Sequence, residues 1–238
     1  MDAPLKYRAV TFDCAETLVG VDWDPARLAI DSAVAVGLTI RDYDEANAAY
    51  QRVLAEKMPA YREVCLSRDP ERGDEFWRDV TGAWCQAVGF SAADAAKLHH
   101  QAMDGFYGPE SEVFSLFDDV MPTLDRLKQM EVRMGVLSNW DYSLHRVIEG
   151  FGLTKYFEFV LASMEEGVEK PDSRFFEIAR KKLGLPAGEI LHVGDNPVDD
   201  LRGAREVGFG ALLIDRANPG EFGHNVKTLT EVPDRIVK

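Results

Sequence analysis

The sequence predicts an α/β protein in which a parallel sheet with crossover helices is interrupted, after its first strand, by a helical insert. Three observations predict it. Short β-like runs at 7–13, 133–138, 159–163, 190–194 and 211–215 are joined, from the second onward, through helical stretches at 121–130, 142–151, 173–183 and 199–207. Alternation of this kind specifies a parallel sheet with helices on both faces. Residues 21–108 break the alternation and carry helical patterning alone. Polar clusters stand directly behind several apolar runs, and open α/β sheets bind their ligands outside the carboxyl ends of their strands.

The first run, Tyr7-Arg8-Ala9-Val10-Thr11-Phe12, ends in Asp13, with Thr17 and Leu18 just beyond. Amphipathic helices follow at 26–36, 44–57, 75–88 and 92–106. Their expected stops are Gly37, Pro59, Gly89 and the Gly108-Pro109 pair, and Ser91 with Asp94 forms a start signal for the last of them. The domain reading is a core of residues 1–20 and 109–238 around a helical insert at 21–108. Rooted beside Asp13, the insert is expected to cover the mouth of the site and select the substrate. The later strands end in Ser138-Asn139 and in Gly194-Asp195, with Asp199 and Asp200 close behind, and Lys170-Pro171 precedes a helix. Asp199 is the expected N-cap of the final helix of that series.

Composition narrows the function classes. At 238 residues the chain can bury a full core, and 46% apolar with 29% charged residues is the balance of an ordinary folded protein. A formal charge of -14 argues against nucleic acid as a partner, because phosphate contacts need a clustered basic face. No apolar stretch reaches the length of a membrane span, and the beginning of the chain has no signal-like apolar core, so no membrane association and a cytoplasmic location are expected. Cys14, Cys65 and Cys85 have no metal-ligand spacing and read as free thiols. Cys14 borders Asp13 without a nearby His to activate it, and reads as a buried loop residue.

The four clusters taken together resemble the haloacid dehalogenase superfamily in its branch with a helical (C1) cap, and the resemblance covers essentially the whole chain. The first motif is Asp13-Cys14-Ala15-Glu16-Thr17, the second Ser138-Asn139, the third Lys170-Pro171-Asp172 and the fourth runs from Gly194 to Asp200. Short motifs match by chance singly, but four in order at strand ends and helix starts do not. The resemblance implies a Rossmann-like parallel core and a Mg²⁺-dependent hydrolase acting on a small phosphorylated metabolite, as monomer or homodimer. By the same resemblance Asp13 attacks phosphorus to form an aspartyl-phosphate, with Ser138 and Lys170 as the other catalytic residues. Asn139 and Thr17 are the implied substrate contacts. Asp13, Asp195, Asp200 and the Ala15 carbonyl are the implied Mg²⁺ ligands, oxygen donors of the kind that ion prefers. Phosphoryl transfer needs such a set, because charge spreads over the phosphoryl oxygens as the group moves.

The chain departs from the family's phosphatases at Ala15, where they carry an Asp that protonates the leaving group and then activates water. General acid–base catalysis of this kind contributes about 10²–10⁴-fold. Glu16 is one residue along, on the other face of an extended segment. Three alternatives follow. Phosphonoacetaldehyde hydrolases of the superfamily have Ala at this position and use a cap Lys as a Schiff base, for which Lys57 is the first candidate and Lys97 the second; the plainer reading of Lys57 is a solvated helix end favoured by the dipole. The 2-haloacid dehalogenases use the same Asp on carbon without a metal. A protein that binds a phospho-ligand or a partner without turnover is the third. The capped members called haloacid dehalogenase-like hydrolase domain-containing protein 3 resemble this chain in lacking the second Asp and carrying an acid before Thr. His145 and His192 receive no role in this reading, and the aromatic set Trp23, Tyr43, Tyr50, Tyr61, Trp77 and Trp84 reads as helix packing.

Overall fold

The computed structural model describes residues 5–107, 111, 113–216 and 225–237. It is an α/β chain dividing into two compact units, Met1–Val21 with Ser115–Lys238, and Asp22–Phe114.

The first unit is built on a six-stranded sheet. Strand β1 (Ala9–Phe12) gives way to a short strand β2 (Val19–Val21), whose partner β3 (Phe114–Leu116) returns the chain from the second unit. Then come β4 (Arg133–Ser138), β5 (Val160–Ala162), β6 (Ile190–Gly194), β7 (Gly210–Ile214) and β8 (Asn225–Val226). The spatial order is β5-β4-β1-β6-β7-β8, and every pairing is parallel. The central strand β1 is buried at all its positions, as an apolar run covered on both faces must be. Because β1 lies between β4 and β6, the residues that follow these three strands come out side by side. The order reverses direction here, and that is where such sheets hold ligands.

One face of the sheet is closed by a helix at Ser173–Leu183, whose Phe175, Phe176 and Ala179 pack with Leu137, Leu161, Ile190 and Phe209 in one apolar cluster. The expected strands at 7–13, 133–138, 159–163, 190–194 and 211–215 correspond to β1, β4, β5, β6 and β7. The short pieces β2, β3 and β8 carry too few residues to show a period.

Among the described residues, the second unit holds four helices, α1 (Pro25–Ala35), α2 (Tyr43–Leu66), α3 (Pro70–Ala87) and α4 (Ala92–Tyr107). Asp24, Asp42 and Asp69 cap the first three through side-chain bonds to backbone N–H groups, with Pro at the first helical position of α1 and α3. Ser91 and Asp94 exchange bonds at the start of α4, the reciprocal box that the sequence signals.

Pro59 does not stop its helix. α2 runs on to Leu66, because Tyr61 and Cys65 beyond the proline are buried, and Tyr61 stacks on Phe76 and Trp77 of α3. Tertiary packing here outweighs a local preference of about 3 kcal/mol against interior proline. Lys57 is therefore interior to α2 and not a helix end, which removes the dipole argument for it. The expected stop at Gly108-Pro109 lies outside the described residues. Among the described residues, no helix is long and apolar enough to cross a membrane.

Candidate active site

Asp13 follows β1 and is 7% exposed. Its Oδ1 accepts two hydrogen bonds, from Ser138 Oγ at 2.7 Å and from Lys170 Nζ at 2.8 Å. Oδ2 accepts no side-chain or loop hydrogen bond among the described residues, so one oxygen is held and the other is open. Ser138 reaches Oδ1 because it ends β4, the strand paired with β1 in register. Lys170 comes from the loop that precedes the Ser173–Leu183 helix, just before a cis peptide to Pro171.

Lys170 is the charge hub. Its Nζ lies 2.6 Å from Asp200 Oδ1 as well as 2.8 Å from Asp13, and the residue is 3% exposed. Burial acts to lower its pKa, but the two flanking carboxylates reverse that and hold the ammonium above its ordinary value. Asp200, opposed by burial but gripped by Lys170 and His192, is held well below the usual carboxylate range. Its Oδ2 accepts the Asn196 N–H at 2.9 Å.

Asn139 engages both ends of its amide on one residue: Nδ2 donates to the Lys170 carbonyl at 2.9 Å, and Oδ1 accepts the Lys170 N–H at 2.8 Å. It thereby ties the end of β4 to the lysine loop. Thr17 is buried, its hydroxyl without a hydrogen-bond partner among the described residues, and its carbonyl accepts Arg216 Nη2 at 3.0 Å.

The loop after Asp13 is knotted by its own backbone. The Cys14 carbonyl faces the N–H groups of Thr17, Leu18 and Val19, and Glu16 N–H donates to the Val19 carbonyl. None of these bonds uses the Ala15 carbonyl. Glu16 sits at a φ of 54° and its Oε1 accepts the Val21 N–H at 3.1 Å, so its carboxylate is tied to β2. Cys14 is fully buried, and burial first, then Asp13, raises its thiol well above the ordinary value; a thiol so held is a poor nucleophile.

Carboxylate oxygens of Asp13, Asp195 and Asp200 lie within 4.8 Å of one another. Asp195 is pushed up to about 7 by burial, then by the charges of Asp13 and Asp200. Three hard oxygen donors with more negative charge than Lys170 balances are the donor set of a Mg²⁺-type ion. The cap of the turn after Asp195 is Asn196, whose Oδ1 accepts the N–H groups of Val198 and Asp199 at 2.8 and 3.0 Å. The expected cap, Asp199, lies inside that turn. A π-helical segment, Pro197–Arg202, begins the helical stretch two residues earlier than the sequence signals, and Asp200 is buried within it.

Sequence reasoning missed His192. It is fully buried in β6, and its ring bridges Thr11 Oγ1 and Asp200 Oδ1, each at 2.9 Å. The available signal is its place two residues before Gly194 on a strand flanking β1.

The haloacid dehalogenase-like hydrolase family matches residues 7–208. The chain is 32% identical to haloacid dehalogenase-like hydrolase domain-containing protein 3 of Danio rerio over 59% of its own length and 60% of that protein's. It is 30% identical to the 5-amino-6-(5-phospho-D-ribitylamino)uracil phosphatase YigB of Escherichia coli over 88% of this chain and 84% of that one. A solved 2-haloacid dehalogenase from Pseudomonas syringae pv. Tomato DC3000 shares the fold, with a TM-score of 0.65, 24% identity and coverage of 96% and 97% of the two chains. With the matched family spanning all four clusters, the chain belongs to the haloacid dehalogenase-like hydrolases.

Proposed function

We propose that the protein is a Mg²⁺-dependent phosphatase that hydrolyses a small phosphorylated metabolite through an aspartyl-phosphate on Asp13. The observation that carries this reading is the asymmetry of Asp13, whose Oδ1 is held by Ser138 and Lys170 while Oδ2 is left open, in a carboxylate that lies close to those of Asp195 and Asp200. An oriented carboxylate with one free oxygen is built for in-line attack. Acids crowded beside it favour attack on a phosphoryl group with a metal over attack on a halogenated carbon without one. The name of the Escherichia coli relative supports a phosphate ester as the substrate class. The helical unit is the part we assign to substrate selection. Three buried cysteines outside any disulfide fit a reducing compartment, and we place the protein in the cytoplasm.

Asp13, Asp195 and the Ala15 carbonyl are the residues that would hold the ion, with Asp200 beside them. The bound ion supplies charge neutralisation to the phosphoryl oxygens. Asp13 Oδ2 forms the bond to phosphorus while the ester P–O bond breaks, and the leaving oxygen departs with the electron pair and takes its proton from solvent. Lys170 and Ser138 hold Oδ1, so the attacking carboxylate keeps its orientation. Water then attacks the aspartyl-phosphate, releasing phosphate and restoring Asp13. Ala15 offers no proton to the leaving oxygen, and Glu16 is tied to the Val21 N–H. Leaving groups that need protonation should therefore be slow.

Hydrolysis of a panel of phosphate esters that includes an activated aryl phosphate, with and without Mg²⁺, tests this. Metal-dependent phosphate release by the wild type, absent in Asp13→Asn, supports the aspartyl-phosphate route. Ala15→Asp should raise turnover of alkyl esters by about 10²–10⁴-fold. A wild type that binds Mg²⁺ and a phosphate analogue but releases no phosphate from any ester would replace this reading with that of a binding protein.

A further inference from the structure

His192 stands directly beside Thr11 in the parallel register of β1 and β6, and both are fully buried. Each ring nitrogen has a polar partner, Thr11 Oγ1 at Nδ1 and Asp200 Oδ1 at Nε2, both at 2.9 Å, and Phe176 meets the ring edge-on at 5.3 Å between centroids. Turning the ring over would set carbon atoms against both polar partners, so its orientation is fixed. Asp200 faces an ammonium at 2.6 Å and a backbone N–H at 2.9 Å, and is an acceptor on both. Nε2 therefore carries a hydrogen and donates it.

Asp200 thus receives donors from three places: the Lys170 loop, the Asn196 turn and strand β6. The fit is close. A Cβ on Gly194 would fall 2.1 Å from Asp200 Cγ, so the strand must end in glycine for the carboxylate to lie there. Lys170 Nζ bridges Asp200 and Asp13, which means that the ammonium is placed on the nucleophile only as firmly as Asp200 is placed beneath it. Of the three donors to Asp200, the His192 ring is the one braced across two strands of the sheet.

We infer that His192 is a positioning residue of the reaction, which fixes Asp200 from below and through it holds Lys170 against Asp13, with Thr11 as its brace. This deepens the phosphatase reading and rests on it. Loss of a partner one step behind the reacting groups typically costs 10–100-fold.

The test combines kinetics with nitrogen-15 NMR of the histidine rings. In the wild type, Nε2 of His192 should bear a hydrogen-bonded hydrogen. His192→Leu should lose about 10–100-fold in kcat, with KM changed far less, because the change falls on the transition state more than on substrate binding. His192→Gln, which keeps a donor, should regain most of the loss, and Thr11→Val should fall between. Thermal melting of each variant separates lost rate from lost fold. A His192 whose Nε2 lacks hydrogen, or a folded His192→Leu with wild-type kcat, overturns the inference. If His192→Leu does not fold, Thr11→Val is held to the same standard: a folded variant with wild-type kcat refutes the brace. A wild type silent on every ester sinks the phosphatase reading instead, while the ring hydrogen still decides the contact with Asp200.

Discussion

The carboxyl end of the sheet and the helical unit are built, each within itself, by opposite means. At the sheet, Asp13, Ser138, Lys170, His192 and Asp200 are all buried and bound into one another by charge-assisted hydrogen bonds. In the helical unit the packing is aromatic: Tyr61, Phe76 and Trp77 meet at 4.6 to 5.4 Å, and Trp84 is fully buried against Tyr50 and Phe90. A buried charge network is costly to assemble and gives orientation in return, whereas aromatic packing gives stability and tolerates substitution of similar volume. The comparison teaches that chemistry and stability are concentrated in different places, so mutations should separate them.

The largest expected effect is Asp13→Asn, which should lower kcat by roughly 10⁴-fold or more, as loss of a covalent nucleophile does. The same variant should melt near the wild-type temperature, since the amide still accepts from Ser138. A kcat within tenfold of wild type would break the assignment of Asp13. In the other region Trp84→Ala should cost about 3–5 kcal/mol, because it empties a buried indole volume and leaves the Ala46 carbonyl without the Nε1–H that donates to it at 2.9 Å. Chemical denaturation reads that loss. The kcat of the molecules that remain folded should barely move, and a large fall would join the two regions that the comparison separates.

What the sequence shows of each region follows the same division. Asp13, Ser138, Lys170 and Asp195 are legible because each is a polar residue directly behind an apolar run or before a helix, a pattern that packing alone does not demand. His192 is not legible, since a histidine between Leu191 and Val193 reads as strand interior until β6 is known to lie beside Thr11. Asn196 as the cap is hidden behind Asp199, the acid the sequence favours there, because a π-helical turn shifts which residue faces the free N–H groups. Pro59 misled for the converse reason. Its local signal is strong, and the contacts of Tyr61 that override it are long-range. The alternation of strands and helices survived these errors because it depends on many residues at once.

Proton linkage sharpens the contrast further. The metal-free protein folds with Asp195 pushed up to about 7 by burial and by Asp13 and Asp200, against 3.8 ordinarily. A carboxyl raised in this way binds its proton more tightly folded than unfolded. Stability is then lost as pH rises from about 4 through 7. Three pH units at about 1.4 kcal/mol each give an upper figure of about 4 kcal/mol, less the share that solvent screens. Urea unfolding at pH 5 and pH 8 should show this loss, and Asp195→Asn or added Mg²⁺ should remove most of it. Trp84→Ala should shift both curves down together and leave their pH dependence unchanged. A wild-type curve flat between those two pH values would mean that the three acids do not crowd one another.

The smallest effect is at the ion pair formed by His145, whose Nε2 lies 2.9 Å from Glu165 Oε2. The bond to Glu165 raises the His145 pKa above 6.5, with burial opposing it. Here the sign is reversed relative to a depressed carboxylate: a raised histidine stabilises the fold fully below the unfolded value and ceases to do so as pH rises through the folded one. The His145 side chain is 48% exposed, so solvent weakens the pair and the contribution should stay under about 1 kcal/mol. His145→Gln should remove a shallow stability loss that begins above pH 6.5 and leave the steeper loss from Asp195 between pH 4 and 7 intact. If instead His145→Gln flattened the lower window, the site acids would be coupled to a surface pair, and the buried network would not be the self-contained charge cluster that its hydrogen bonds describe.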